Sequence, residues 1–349
     1  MKVLIVKVSA LGDVVHALPV LAYLHAASPG VQVDWLVEES FAPLLHGHPL
    51  LRRVISLRTK QWRKLGLSNM LTQVYHFCRH LRQERYDVVL DLQGNSKSGF
   101  FTLVSRGGDK YGFDRHQVRE WPNLLATNHR VAVAEHEHHI AARCLAVARG
   151  AMGREIDVAL AGPLPVDETA RREVRRQLER LQLQRRALVV LNYGTTWTTK
   201  LWHLDNWCAL ARRLEQRGDC HLLLTWGNVA EHQAAQMITA AAPTAHIWPR
   251  CSLPQLVALL DAAAVVVGCD TGPIHIAAAV ATPTVSLYRV TDAERNGPAG
   301  EPHCRLQAPL ECSPCLRKQC DDDERCARSI GVDEVYRNVC ALLDGKAAQ

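Results

Sequence analysis

Residues 1–21, MKVLIVKVSALGDVVHALPVL, carry the reading that decides the fold. The apolar run 3–8 reads as a buried parallel strand, and a polar turn from Ser9 to Asp13 follows it. Val14, Val15, Leu18, Leu21 and Leu24 then recur on one side of a helix, with Pro19 inside it predicting a bent early turn. Further strands are expected at 31–37 and 87–92, with a helix at 68–83 between them. Past Pro163 and Pro165 the composition turns to an Arg- and Glu-rich helix, 167–183. The alternation then restarts, with strands at 187–192, 221–226, 263–268 and 283–288. Parallel neighbours need crossovers, and helices usually supply them. The expected fold class is therefore α/β, with one doubly wound parallel sheet in residues 1–165 and a second in 166–349.

In such sheets ligands bind beyond the carboxyl ends of the strands. The loops expected there are polar: Ser9-Ala10-Leu11-Gly12-Asp13, Glu38-Glu39, Gln93-Gly94-Asn95, Tyr193-Gly194-Thr195-Thr196, Trp226-Gly227-Asn228 and Asp270-Thr271-Gly272. All six are expected to point at one cleft.

The chain has 349 residues, 48% of them apolar and 22% charged, which excludes disorder, coiled coil and low-complexity polymer. No apolar run is long enough to cross a bilayer, and Lys7 and Asp13 break the N-terminal run, so neither a transmembrane span nor a signal peptide is expected. That places the protein in the cytosol, with any membrane contact peripheral. The net charge of +6 lies wholly in residues 1–165, which hold 20 Lys/Arg against 14 Asp/Glu. Residues 40–83 carry Arg52, Arg53, Arg58, Lys60, Arg63, Lys64, Arg79 and Arg82 and no carboxylate. Such a segment is either a solvated basic face or an attractor of phosphate and carboxylate. Nucleic acid fits poorly, because aromatics are not interleaved with the basic run beyond Trp62 and the second half is neutral.

Residues 270–275, DTGPIH, follow an apolar strand and open an Ala-rich helix. Thr271 can cap that helix and Pro273 suits its first turn, so free N–H groups and the helix dipole favour a phosphate there, with His275 at the same end. A well-capped helix with a satisfied histidine is the plainer alternative. Thr195, Thr196 and Lys200 form a second candidate anion site, against the alternative of a solvated lysine. Asp13 sits beyond the first strand beside Gly12, either as a general base or as a helix-opening carboxylate stabilised by the dipole. GxGxxG and GxxxxGK[ST] are both missing from the sequence, which argues against a dinucleotide oxidoreductase and a P-loop NTPase. Of the twelve cysteines, Cys312, Cys315, Cys320 and Cys326 cluster, with Cys304 upstream. Structural zinc, an iron–sulfur cluster and free thiols all remain open readings of that spacing.

MKVLIVKVSALGDVVHALPVL, DWLVEESFAPLLHGHPLLRRVI, Trp62-Arg63-Lys64, DLQGNSKSG, TKLWHLDNW, TWG and GCDTGPIHIAAA together resemble the bacterial lipopolysaccharide heptosyltransferases of glycosyltransferase family 9. The likeness spans nearly the whole chain, and the first 100 residues are most similar to the heptosyltransferase I branch. The resemblance implies a GT-B fold, two Rossmann-like domains facing across a cleft, with the acceptor on 1–165 and the nucleotide sugar on 166–349. It implies an ADP-heptose donor, an anionic Kdo-bearing lipid A acceptor at the cytoplasmic face of the inner membrane, and no metal or cofactor for catalysis. By position, Asp13 becomes the general base and Lys200 the group that offsets diphosphate charge. Thr195, Thr196, Trp226, Gly227, Glu231, Asp270, Thr271, Gly272 and His275 become donor contacts. Arg58, Lys60, Arg63, Lys64, Gln93 and Lys97 become acceptor contacts. His203 stands where the family has Pro, and Arg289-Val290 where it has Gly-Pro.

Overall fold

A computed structural model describes residues 1–347 and divides the chain after Pro165 into two compact units. The first contains β1 (Lys2–Val6), α1 (Leu11–His16), α2 (Pro19–Ala27), β2 (Gln32–Glu38), β3 (Arg53–Leu57), α3 (Thr59–Trp62) and α4 (Leu67–Leu81). It continues with β4 (Arg85–Asp91), α5 (Ser96–Val104), β5 (Arg106–Phe113), β6 (His129–Val131) and α6 (Ile140–Met152). The second contains α7 (Glu168–Arg180), β7 (Ala187–Asn192), α8 (Leu204–Arg217), β8 (Cys220–Leu224), α9 (Val229–Ala241), β9 (His246–Ile247) and α10 (Leu253–Ala262). Then come β10 (Val265–Cys269), α11 (Gly272–Ala279), β11 (Thr284–Tyr288), α12 (Ala293–Asn296), β12 (His303–Gln307), α13 (Asp323–Arg328) and α14 (Val332–Ala347).

Each unit holds one six-stranded sheet, ordered β3-β2-β1-β4-β5-β6 and β9-β8-β7-β10-β11-β12, and every strand pair is parallel. Counted within its unit each order is 3-2-1-4-5-6, the Rossmann order. The chain reverses direction between β1 and β4 in one sheet and between β7 and β10 in the other. At those reversals the flanking loops part, leaving room for a ligand. Strands β1, β7 and β10 are apolar and buried on both faces, as a doubly covered sheet requires.

Three local outcomes differ from the pattern reading. Pro19 does not bend a helix: α1 ends before Ala17, and Pro19 opens α2 at its first turn, where its missing N–H costs nothing. Trp226 lies beyond the end of β8 rather than within it. Strands β3, β5, β6, β9 and β12 escaped the periodicity. In β5 the reason is packing, because a Cβ at Gly107 would stand 2.6 Å from Val89 Cγ2 and one at Gly112 2.8 Å from Thr127 Cγ2. Glycines make that strand read as a loop.

Candidate functional site

In the second unit the polar loops after β7, β8 and β10 define one site at the sheet reversal. Asp270, directly after β10, is 7% exposed. Its Oδ2 accepts from Lys200 Nζ at 2.6 Å and from Thr291 Oγ1 at 2.7 Å, and its Oδ1 lies 3.2 Å from His275 Nε2. Burial alone would raise the Asp270 pKa, but the hydrogen bond and charge of His275 and the charge of Lys200 outweigh it and hold the carboxyl well below the usual range. Lys200 ends a short 3-10 turn, Thr198–Lys200, and its ammonium lies 5.0 Å from the Trp197 ring centroid. Lys318 Nζ lies 4.8 Å from the same ring. Two ammonium groups thus converge on one indole ring, and among the described residues it is Lys200 that has a carboxylate, Asp270, beside it.

Thr271 occupies the N-cap position of α11, but its hydroxyl makes no capping bond. It accepts from Asn192 Nδ2 at 2.9 Å, and Asn192 Oδ1 accepts from Thr225 Oγ1 at 3.3 Å. The expected side-chain cap is therefore corrected: the loop after β7 uses that oxygen, and the amide donors at the start of α11 keep their anion-binding character. His275, expected to face the phosphate end directly, is buried with Nε2 toward Asp270. Thr195 Oγ1 accepts weakly from Trp197 N at 3.5 Å, whereas Thr196 is exposed.

Glu231, on the first turn of α9, ties two loops together. Its Oε2 accepts from Gly227 N at 2.6 Å, its own amide is capped by Asn228 Oδ1 at 2.9 Å, and its carbonyl accepts from Tyr193 Oη at 2.8 Å. A Cβ added at Gly194 would meet the Glu231 carboxylate and push it aside. Trp226 donates from Nε1 to the Trp248 carbonyl at 2.8 Å, which fixes its ring beside this loop.

The first unit has its own site at the β1/β4 reversal. Asp13 lies in the first turn of α1, partly exposed, and its Oδ2 accepts from Ala10 N at 3.0 Å. The helix-opening role is thus real. Asp13 Oδ1 has no hydrogen bond to protein among the described residues. Gln93, expected as an acceptor contact, acts as a clamp in the fold: its Oε1 accepts from Val8 N at 2.8 Å and Ser9 N at 3.0 Å, and its Nε2 donates to the Ser9 carbonyl. Both ends of its amide hold the loop that leads to Asp13.

One buried carboxylate, Glu38, lies beside part of the basic set. Glu38 is 3% exposed and accepts from Thr59 Oγ1 at 2.6 Å and Lys60 N at 3.3 Å, with Lys97 Nζ 3.8 Å away. Burial pulls the Lys97 ammonium below the usual lysine range against the attraction of Glu38, and the Arg63 and Lys60 charges add to the effect. Arg58 pairs with Glu39 at 2.7 Å, while Lys60, Arg63 and Lys64 are exposed. Sequence reasoning missed Thr291, Trp197, Asn192, Lys318 and Thr59 as site-forming groups. For Asn192 the available signal was position, since it is the last residue of β7.

A family model described as glycosyltransferase family 9 (heptosyltransferase) matches residues 74–325. The chain belongs to glycosyltransferase family 9. It is 36% identical to lipopolysaccharide heptosyltransferase 1 of Pseudomonas aeruginosa, across 92% of this chain and 87% of that protein. E. coli heptosyltransferase WaaC with ADP superposes at a TM-score of 0.79 with 27% identity, covering 98% of this chain and 100% of that one. WaaC with ADP-2-deoxy-2-fluoro heptose gives 0.77 at 27% identity, covering 98% and 99%. The two Rossmann-like units of this family 9 glycosyltransferase are those of the GT-B fold.

Arg289 has a structural use in this family 9 glycosyltransferase. Arg289 is 1% exposed and donates to the Leu201 carbonyl and, at 2.7 and 2.6 Å, to the carbonyl and Oδ1 of Asp323. It fastens the Lys200 loop to α13. Thr199 Oγ1 donates to the Arg317 carbonyl at 2.8 Å, so the cysteine-rich segment also packs on that loop. Among the described residues no group of three or more His, Cys, Asp or Glu is placed to hold a metal ion. Cys326 packs in the apolar core of the second unit, whereas Cys312 is exposed.

Proposed function

We propose that this chain is an inverting glycosyltransferase that moves heptose from ADP-L-glycero-D-manno-heptose to the Kdo inner core of lipopolysaccharide, working in the cytoplasm at the inner membrane. The observation that carries the proposal is the joint likeness to a named heptosyltransferase 1 and to WaaC with an ADP-heptose analogue, across nearly the whole chain. The charge arrangement supports it. The first unit, with its exposed Lys60, Arg63 and Lys64, takes the anionic acceptor, and the second takes the nucleotide sugar.

The reaction is a single displacement at the anomeric carbon. Asp13 takes the proton from the acceptor hydroxyl as its oxygen bonds to that carbon, and the carbon–oxygen bond to the diphosphate breaks. Negative charge grows on the departing ADP. Lys200 meets it, held in place by Asp270, and the amide donors at the start of α11 add a fixed dipole. His275 acts through Asp270. Glu231, at the β8 loop, faces the adenosine portion.

One incubation with ADP-heptose and Kdo2-lipid A, followed by mass spectrometry of the lipid, tests this. The expected result is a single heptose increment. An unchanged Kdo2-lipid A, with an increment only on an acceptor that already carries heptose, overturns the assignment of the first heptose. No increment on any acceptor, with intact ADP binding, overturns transfer itself.

A further inference from the structure

We propose that the outer stripe of α4, flanked by cations, is the surface on which this chain seats itself on an anionic lipid bilayer. The proposal rests on the reading that the acceptor is carried by a lipid, and it adds a contact separate from the groups that read the acceptor sugar.

Helix α4 is apolar on two sides. Met70, Val74, Phe77 and Leu81 pack on the core of the first unit. Leu67, Leu71 and Tyr75, four residues apart and therefore on one stripe, are 70, 57 and 63% exposed. Neighbouring α5 adds exposed Phe100 and Leu103. Large apolar side chains left exposed along one helix stripe mark an interaction site.

Its occupant follows from charge. Helix α4 contains no Asp or Glu, and none occurs anywhere in residues 40–83. Apart from the acceptor-facing cations, Arg79 and Arg82 stand at the end of the helix, both exposed. An apolar stripe bordered by cations and free of carboxylates suits the boundary between acyl chains and anionic headgroups. At fifteen residues α4 is too short to span a bilayer, and among the described residues no helix is long and apolar enough to do so. It therefore lies in the interface plane.

Co-sedimentation with phosphatidylcholine vesicles, with and without phosphatidylglycerol, tests the inference. The unmodified chain is expected to pellet with the anionic vesicles and to be released by salt. The combined Leu67→Ser, Leu71→Ser and Tyr75→Ser variant is expected to bind them at least about tenfold more weakly, as loss of buried apolar surface requires. Arg79→Glu is expected to weaken binding and flatten its salt dependence. Both variants should melt as the unmodified chain does and keep its turnover on a deacylated, water-soluble Kdo acceptor. Equal binding of the triple variant, equal binding to neutral vesicles, or no vesicle binding at all overturns the proposal. So does sedimentation velocity showing a dimer that the triple variant splits, since a second copy would then own the stripe. Absence of turnover on the soluble acceptor by the unmodified chain sinks the transfer reaction instead, and leaves the vesicle result standing by itself.

Discussion

Lys200 Nζ stands 2.6 Å from Asp270 Oδ2, so the cation assigned to the leaving diphosphate is held by a carboxylate that Thr291 and His275 also hold. Lys200→Met removes both a transition-state charge and one partner of a buried anion. Activity is expected to fall by about 10² to 10³. Because Lys200 is partly exposed and the other two partners remain, the stability loss should be about 2 kcal/mol, below the figure for a fully buried pair. Steady-state kinetics and thermal unfolding check the two parts separately.

Asp270 also sets an acid limit. Its folded pKa lies below the ordinary value of about 3.9, so the unfolded chain binds more protons in acid and stability rises with pH there. The contribution is complete above the unfolded value and is lost as pH falls through the folded one. Thermal midpoints should drop steeply below about pH 4. Asp270→Asn should lower the midpoint at neutral pH and flatten that slope; an unchanged slope would remove Asp270 as its source.

His303 behaves likewise at milder acidity. Burial holds its pKa down to about 4, so its neutral ring is favoured in the fold. Stability from this group is present above the unfolded value of about 6.5 and is lost as pH falls from there toward 4. His303→Gln keeps a partner for Thr284 and should reduce the pH dependence of the melting midpoint in that window.

Asp13→Ala is expected to lose about 10² to 10⁴ in kcat, the usual contribution of a general base, with ADP affinity unchanged in calorimetry. The lost bond to Ala10 N should cost only about 1 kcal/mol, separating catalysis from folding. Wild-type turnover in a folded Asp13→Ala protein would leave the proton without an acceptor.

Gly194→Ala should destabilise the second unit by about 1–3 kcal/mol by forcing the Glu231 carboxylate off Gly227 N. Combined with Glu231→Ala, the cost should be well below the sum of the single changes, because the collision partner is gone. Additive losses in a double-mutant cycle would refute the contact.

Gln93→Leu keeps the volume of the clamp and deletes its hydrogen bonds to Val8 and Ser9. Turnover should fall about tenfold through displacement of Asp13, with donor binding intact. A change in acceptor KM alone would restore Gln93 to the acceptor's surface.

Much of this was legible in the chain itself. Apolar strands such as β7 and β10 are buried on both faces, so their runs of Val and Leu announce a covered parallel sheet without help from tertiary contacts. Asp270 directly follows such a run, and Asp13, Thr195 and Lys200 lie in the polar loops that leave one. What the chain could not disclose was which of these groups spend their hydrogen bonds on one another. Gln93 and Val8 are 85 residues apart, Lys200 and Asp270 are 70, and Asp270 and Thr291 are 21. Spacing carries no information about partners brought together by a crossover. Only the folded arrangement turned Gln93 into a clamp, His275 toward Asp270 and Cys326 into the core, because hydrogen bonds and burial are settled by which loops meet at the sheet reversals. Order along the chain fixes the strands; what surrounds their ends depends on how the sheet is wound.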